Sequence, residues 1–158
     1  MEYKFNSKHL NIINVLIFDG SIDYENISDL KLENGKLVFE IERRAFENST
    51  RKWVKNNITT YYGGKKSILT FNDVLSFSVL ESGKYQYNHF IDMIEFVDKN
   101  QIVLYTTFAK IILNVKEYFT ITLKDIEDSD FGKGSLSGIK FFTNEEWLEY
   151  LKKEDYPS

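Results

Sequence analysis

Asn34-Gly35 separates two runs in which apolar and charged residues alternate one by one. Leu30 and Leu32 precede it, Leu37, Phe39 and Ile41 follow it, and Asp29, Lys31, Glu33, Lys36, Glu40 and Glu42 fill the positions between. A period of two sends successive side chains to opposite faces, so a strand gathers these apolar residues on one side and a helix does not. Asn and Gly both tolerate positive φ, as the two central positions of a type I′ hairpin turn require. The chain is therefore expected to contain an antiparallel hairpin with one apolar and one wet face.

The same period recurs. Leu69 and Phe71 share one face of a strand over Ser67–Phe71, and Leu75, Phe77 and Val79 one face of a strand over Leu75–Leu80, with Asn72-Asp73 as a bulge or turn between them. Phe90–Val97 and Ile102–Thr107 read as a hairpin joined through Asp98-Lys99-Asn100-Gln101. Lys110–Val115 is apolar on both faces, and Phe119, Ile121 and Leu123 then alternate with Thr120, Thr122 and Lys124. Composition agrees. The chain has 16 isoleucines, 13 phenylalanines and 10 tyrosines but only two alanines. That suits a pleated, half-buried surface better than a helical one.

Two segments break the pattern. Residues 46–62 hold Glu47-Asn48-Ser49-Thr50 and Asn56-Asn57, and read as a long excursion between strands with room for a short helix. Near the end, Thr143-Asn144-Glu145-Glu146 forms a capping box, Phe142 staples onto Trp147, and Trp147, Leu148 and Leu151 make an apolar stripe; a helix over 144–153 follows. The predicted fold is mainly β, an antiparallel sandwich, curved sheet or partial barrel with one C-terminal helix, in a single domain over 1–158.

Several classes of function are excluded or disfavoured. With no cysteine and two histidines, His9 and His89, there is no disulfide, no thiolate nucleophile and no three-histidine zinc site. Leu10–Phe18 is too short to cross a bilayer and carries Asn11 and Asn14. It has no small-residue cleavage site, so a cytoplasmic protein with no membrane association is expected.

Charge is arranged in blocks. Residues 43–72 carry net +6, flanked by net −4 over 1–42 and net −5 over 73–132. Arg43, Arg44, Arg51, Lys52, Lys55, Lys65 and Lys66 are interleaved with Trp53, Tyr61 and Tyr62. Aromatics that stack on bases, together with cations that neutralise phosphates, compose a single-stranded nucleic-acid platform. Against this stand a net charge of −4 and a ratio of 17 lysines to three arginines. The alternative is that these cations balance the acidic strands on either side.

Gly63-Gly64-Lys65-Lys66-Ser67 reads as a β-turn; a phosphate loop would need glycine where Thr59 stands. Asp125, Glu127, Asp128 and Asp130 read as a solvated loop, because the third acid and the final glutamate of a calcium loop are missing. Tyr85, Tyr87 and His89 form a Tyr/His-rich surface suited to protein contact. No catalytic, cofactor-binding or metal-binding set of residues emerges.

Phe18-Asp19-Gly20-Ser21, Ile27-Ser28-Asp29-Leu30, Gly35–Ile41 and Leu69–Val74 together resemble small β-rich bacterial proteins of the polymorphic-toxin immunity type, with Phe18 where that pattern has histidine. The resemblance covers about residues 18–80 and implies a stoichiometric binder of a toxin with no catalytic residues. The expected function is accordingly non-enzymatic: a protein-interaction module, with Arg43, Arg44, Arg51, Lys52, Trp53, Lys55, Tyr61, Tyr62, Tyr85, Tyr87 and His89 as partner-binding residues. The alternatives are single-stranded nucleic-acid binding through 43–66 and carriage of a small apolar ligand inside the sheet.

Overall fold

A computed structural model describes residues 2–54, 57–81 and 88–136, with side chains described outside 46–62, 130 and 132–136. The elements are β1 (Glu2–Phe5), a 3-10 turn (Ser7–His9), α1 (Leu10–Ile17), β2 (Ser21–Ile22), α2 (Tyr24–Ser28), β3 (Leu32–Glu33), β4 (Lys36–Val54), β5 (Asn57–Glu81), β6 (His89–Asp98), β7 (Gln101–Thr106) and β8 (Ala109–Leu136).

The alternation behaves as the sequence demands. Leu37, Phe39 and Ile41 are buried on β4 while Val38 and Glu40 face solvent. Asn34 and Gly35 turn the hairpin with φ of 52° and 72°, the left-handed values of a type I′ turn. The antiparallel sheet runs in the order β1-β8-β5-β4-β2-β6-β7, with β3 on β4, and β7 pairs back onto β8. The curved sheet thus closes on itself as a ring. Its inward rows supply the core: Leu37, Phe39, Leu69, Phe71, Ile102, Leu104, Ile111, Leu113, Ile121 and Leu123 are almost wholly buried. The Phe39 and Phe71 rings meet edge to face at 5.7 Å, a favoured aromatic geometry.

Bulges adjust this pattern. On β6, Ile91 pairs with Thr106 but Met93 with Tyr105, so Asp92 is an extra residue. The bulge lets Ile91 and Ile94, three apart, both enter the core. Asn72-Asp73 is likewise an irregularity inside one long strand, β5, with Asp73 at φ 61°.

Several expectations are corrected. The backbone of 46–54 and 57–62 is strand, continuing β4 and β5 outward as a hairpin, and not an irregular excursion. Gly63-Gly64 is no turn: both residues lie within β5, opposite Ala45 and Arg44. A Cβ at Gly64 would run into the Phe131 carbonyl oxygen of β8, so close strand approach is what requires glycine there. The acids from Asp125 onward belong to β8, not to a loop. Leu10–Phe18, too short for a membrane span, supplies α1, whose Leu10, Ile13 and Ile17 are buried at helical spacing. The helix expected over 144–153 lies outside the described residues.

Candidate functional site

Arg43 continues the inward row of β4, beyond Ile41, and its side chain is completely buried. Asp125 extends the inward row of β8 after Leu123. The Arg43 guanidinium grips it bidentately, Nε donating to Oδ1 at 3.0 Å and Nη2 to Oδ2 at 2.8 Å. The Ser67 hydroxyl, from the inward row of β5, donates to Asp125 Oδ1 at 2.6 Å. Burial by itself would raise the Asp125 carboxyl, but the Arg43 and Ser67 hydrogen bonds outweigh it and hold the group below its usual range. A bulge follows directly: Ser67 pairs with Asp125 and Lys66 with Glu127, so Ile126 is extra. Asp125 is inward by alternation from Leu123, and the bulge keeps Glu127 outside, opposite Lys66.

The neighbouring cations are engaged in the same way. Arg44 Nη1 lies 2.9 Å from Asp19, with the Arg44 guanidinium 5.7 Å from the centre of the Phe131 ring. Lys66 Nζ lies 3.3 Å from Glu127. Lys65 is hydrogen-bonded to Asp128, a contact that raises the lysine pKa. Four of the seven cations of the basic block thus meet carboxylates: Arg43, Lys65 and Lys66 those of β8, and Arg44 that of Asp19.

This corrects two of the expected partner-binding positions. Arg43 is an internal counter-charge, because the period that buries Ile41 also buries the residue two places on. His89 is also buried, because it shares the inward face of β6 with Ile91. Its Nδ1 is 2.8 Å from the Thr106 hydroxyl, and the Phe108 ring meets it edge-on at 5.5 Å. Burial pushes the imidazole pKa down, against the raising charge of Glu81. Arg51, Lys52, Trp53, Tyr61 and Tyr62 lie on the outer β4–β5 hairpin, where Arg51 pairs with Thr60 and Lys52 with Thr59; their side chains are outside the described ones. Lys55, Tyr85 and Tyr87 lie outside the described residues.

Sequence reasoning missed a different surface. The Asn14 side chain acts as a two-pronged backbone mimic on β6: Nδ2 donates to the Ile94 carbonyl at 2.9 Å, and the Ile94 N–H donates to Oδ1 at 2.7 Å. Further along, Asp19 N–H donates to the Ile91 carbonyl and Ile91 N–H to the Gly20 carbonyl, each at 2.8 Å. These bonds fix α1 and its exit along the edge of β6. The outer side of α1 is nevertheless apolar, with Ile12 and Val15 exposed by 55 and 69% and Phe18, just past its end, by 54%. Phe90, Met93 and Val97 are exposed on the adjoining β6. The available signal was the stretch Leu10–Phe18, apolar at more positions than one buried helix face can use.

Among the described residues, no group of three His, Asp or Glu side chains is placed to hold a metal ion. Among them, too, no helix is long and apolar enough to cross a membrane. No known protein family, curated protein or solved structure matches this chain.

Proposed function

We propose that this chain acts by binding another protein, through the apolar face formed by α1 and β6. The observation that carries this reading is Val15, 69% exposed on a helix whose opposite side is tied to the sheet, with Ile12 exposed before it and Phe18 just past the helix end. Adjoining exposed apolar side chains on a rigid support are characteristic of protein contact surfaces. Each side chain of this size contributes roughly 1.5–3 kcal/mol when fully covered. The exposed Asp92 and Asp98 supply a polar rim. The finer reading, an immunity-type binder that neutralises a toxin, draws its support from the sequence resemblance over residues 18–80.

The nucleic-acid reading loses Arg43, Arg44, Lys65 and Lys66 to carboxylate partners and retains Arg51, Lys52 and Lys55. The carrier reading is weakened by inward rows that pack on one another. Photo-crosslinkers placed at positions 15, 93 and 31 of the full chain, in lysate of the source cell, test the proposal. One protein adduct shared by positions 15 and 93, absent from position 31 and lost on Phe18→Ser, is expected. Adducts equally strong at position 31, or none at 15 and 93, would refute it.

A further inference from the structure

At one end of the ring, β8 makes a wide bulge. Val74 pairs with Val115 and Asn72 with Thr120, so residues 116–119 face Asp73 alone, and Asp73 takes up the bend at φ 61°. The β6–β7 turn is pinned against the same stretch. Val115 N–H donates to the Asn100 carbonyl at 2.8 Å, and Asn100 Nδ2 donates to the Val115 carbonyl at 3.3 Å. Across from both stands the 3-10 turn, held by Asn6 Oδ1, which accepts from Lys8 N–H at 2.9 Å. These three backbone features border an open cleft of about 520 Å³, a size suited to a small ligand.

Its lining is chemically specific. Phe119 is buried at the base, while Phe96 and Tyr118 stand beside it, exposed by 46 and 84%. Lys8 and Lys99 line the cleft from the two turns, both exposed and neither in an ion pair among the described residues. Glu117 is the one carboxylate in the lining, which leaves the cleft with a net positive charge. Two exposed aromatic rings over a buried one, with two solvent-facing ammonium groups, fit a flat apolar body carrying a carboxylate.

We propose that this cleft binds a small aromatic carboxylate, with the ring between Phe96 and Tyr118 and the carboxylate at Lys8 and Lys99. The site is separate from the α1–β6 face and does not depend on the protein-binding reading. Bulges commonly re-aim side chains at such sites.

The test uses 1-naphthoate and its uncharged analogue 1-naphthamide, titrated to about 10 mM into the isotopically labelled full chain and followed by amide chemical shifts. Naphthoate is expected to shift residues 6–8, 96–99 and 117–120. Lys8→Gln with Lys99→Gln should weaken it about tenfold and leave naphthamide unchanged, whereas Tyr118→Ala should weaken both. The proposal is overturned by equal affinity for the two probes, by shifts centred on residues 12–18 and 90–93, or by no shift at all.

Discussion

Removing a guanidinium from water costs several kcal/mol unless its partner and geometry repay the loss. Arg43 meets that requirement through the two-point contact with Asp125, itself held by Ser67. Removing one partner should therefore hurt far more than removing both. Asp125→Ala is expected to lose about 3–5 kcal/mol of unfolding free energy. Arg43→Met combined with Asp125→Leu should fall within about 1 kcal/mol of the parent or above it; urea titration of the three chains decides.

Acid should act through the same carboxyl. Its folded pKa is lowered, so its contribution is complete above the ordinary value of 3.8 and is lost as pH falls through the folded value. His89 also has a lowered folded pKa. The unfolded chain then takes up a proton before the folded one does, and stability falls as pH drops from 6.5 towards the folded value. His89→Gln should flatten that part of the stability profile, measured by thermal melts across the range; an unchanged slope would mean that His89 is not the group responsible.

Elements show what could be read from sequence and what could not. The Asn34-Gly35 hairpin and the β6–β7 hairpin were legible because period two and turn chemistry are local signals. The continuation of β4 and β5 through 46–62 was not. Its Asn, Ser and Thr residues have loop composition, and its strand pairing is set by a partner distant in sequence. The candidate surface was illegible for a related reason. Arg43 and His89 look like surface residues by type, and only strand parity turns them inward, while α1 hides its helical period in a nine-residue apolar stretch. Asn14 is the clearest case: its amide completes a strand edge 80 residues away in sequence. Asn14→Leu should cost about 1–3 kcal/mol by leaving the Ile94 backbone groups unpaired. It should also speed hydrogen exchange at Ile94 while leaving Leu69 protected. Uniform loss of protection would instead indicate global destabilisation.

Across the whole molecule, part of the segregated charge finds an internal explanation: Arg43, Lys65 and Lys66 of β4 and β5 meet acids of the neighbouring β8, and Arg44 meets Asp19. Apart from Arg43–Asp125, these pairs are at least partly exposed, so water and salt screen them and they contribute little to stability. Raising salt to about 1 M should accordingly change stability little; a large loss would show that the outer pairs hold the sheet together. The ring closes at its narrowest through the two residues of β2, between Glu42 of β4 and His89-Phe90 of β6. The most direct test of this arrangement is the Arg43 Nε–H resonance of the intact chain at neutral pH. A slowly exchanging signal in contact with Ser67, displaced by Asp125→Asn, is the predicted result. A signal lost to rapid exchange with water, or indifferent to Asp125→Asn, would put Arg43 in solvent and contradict the account.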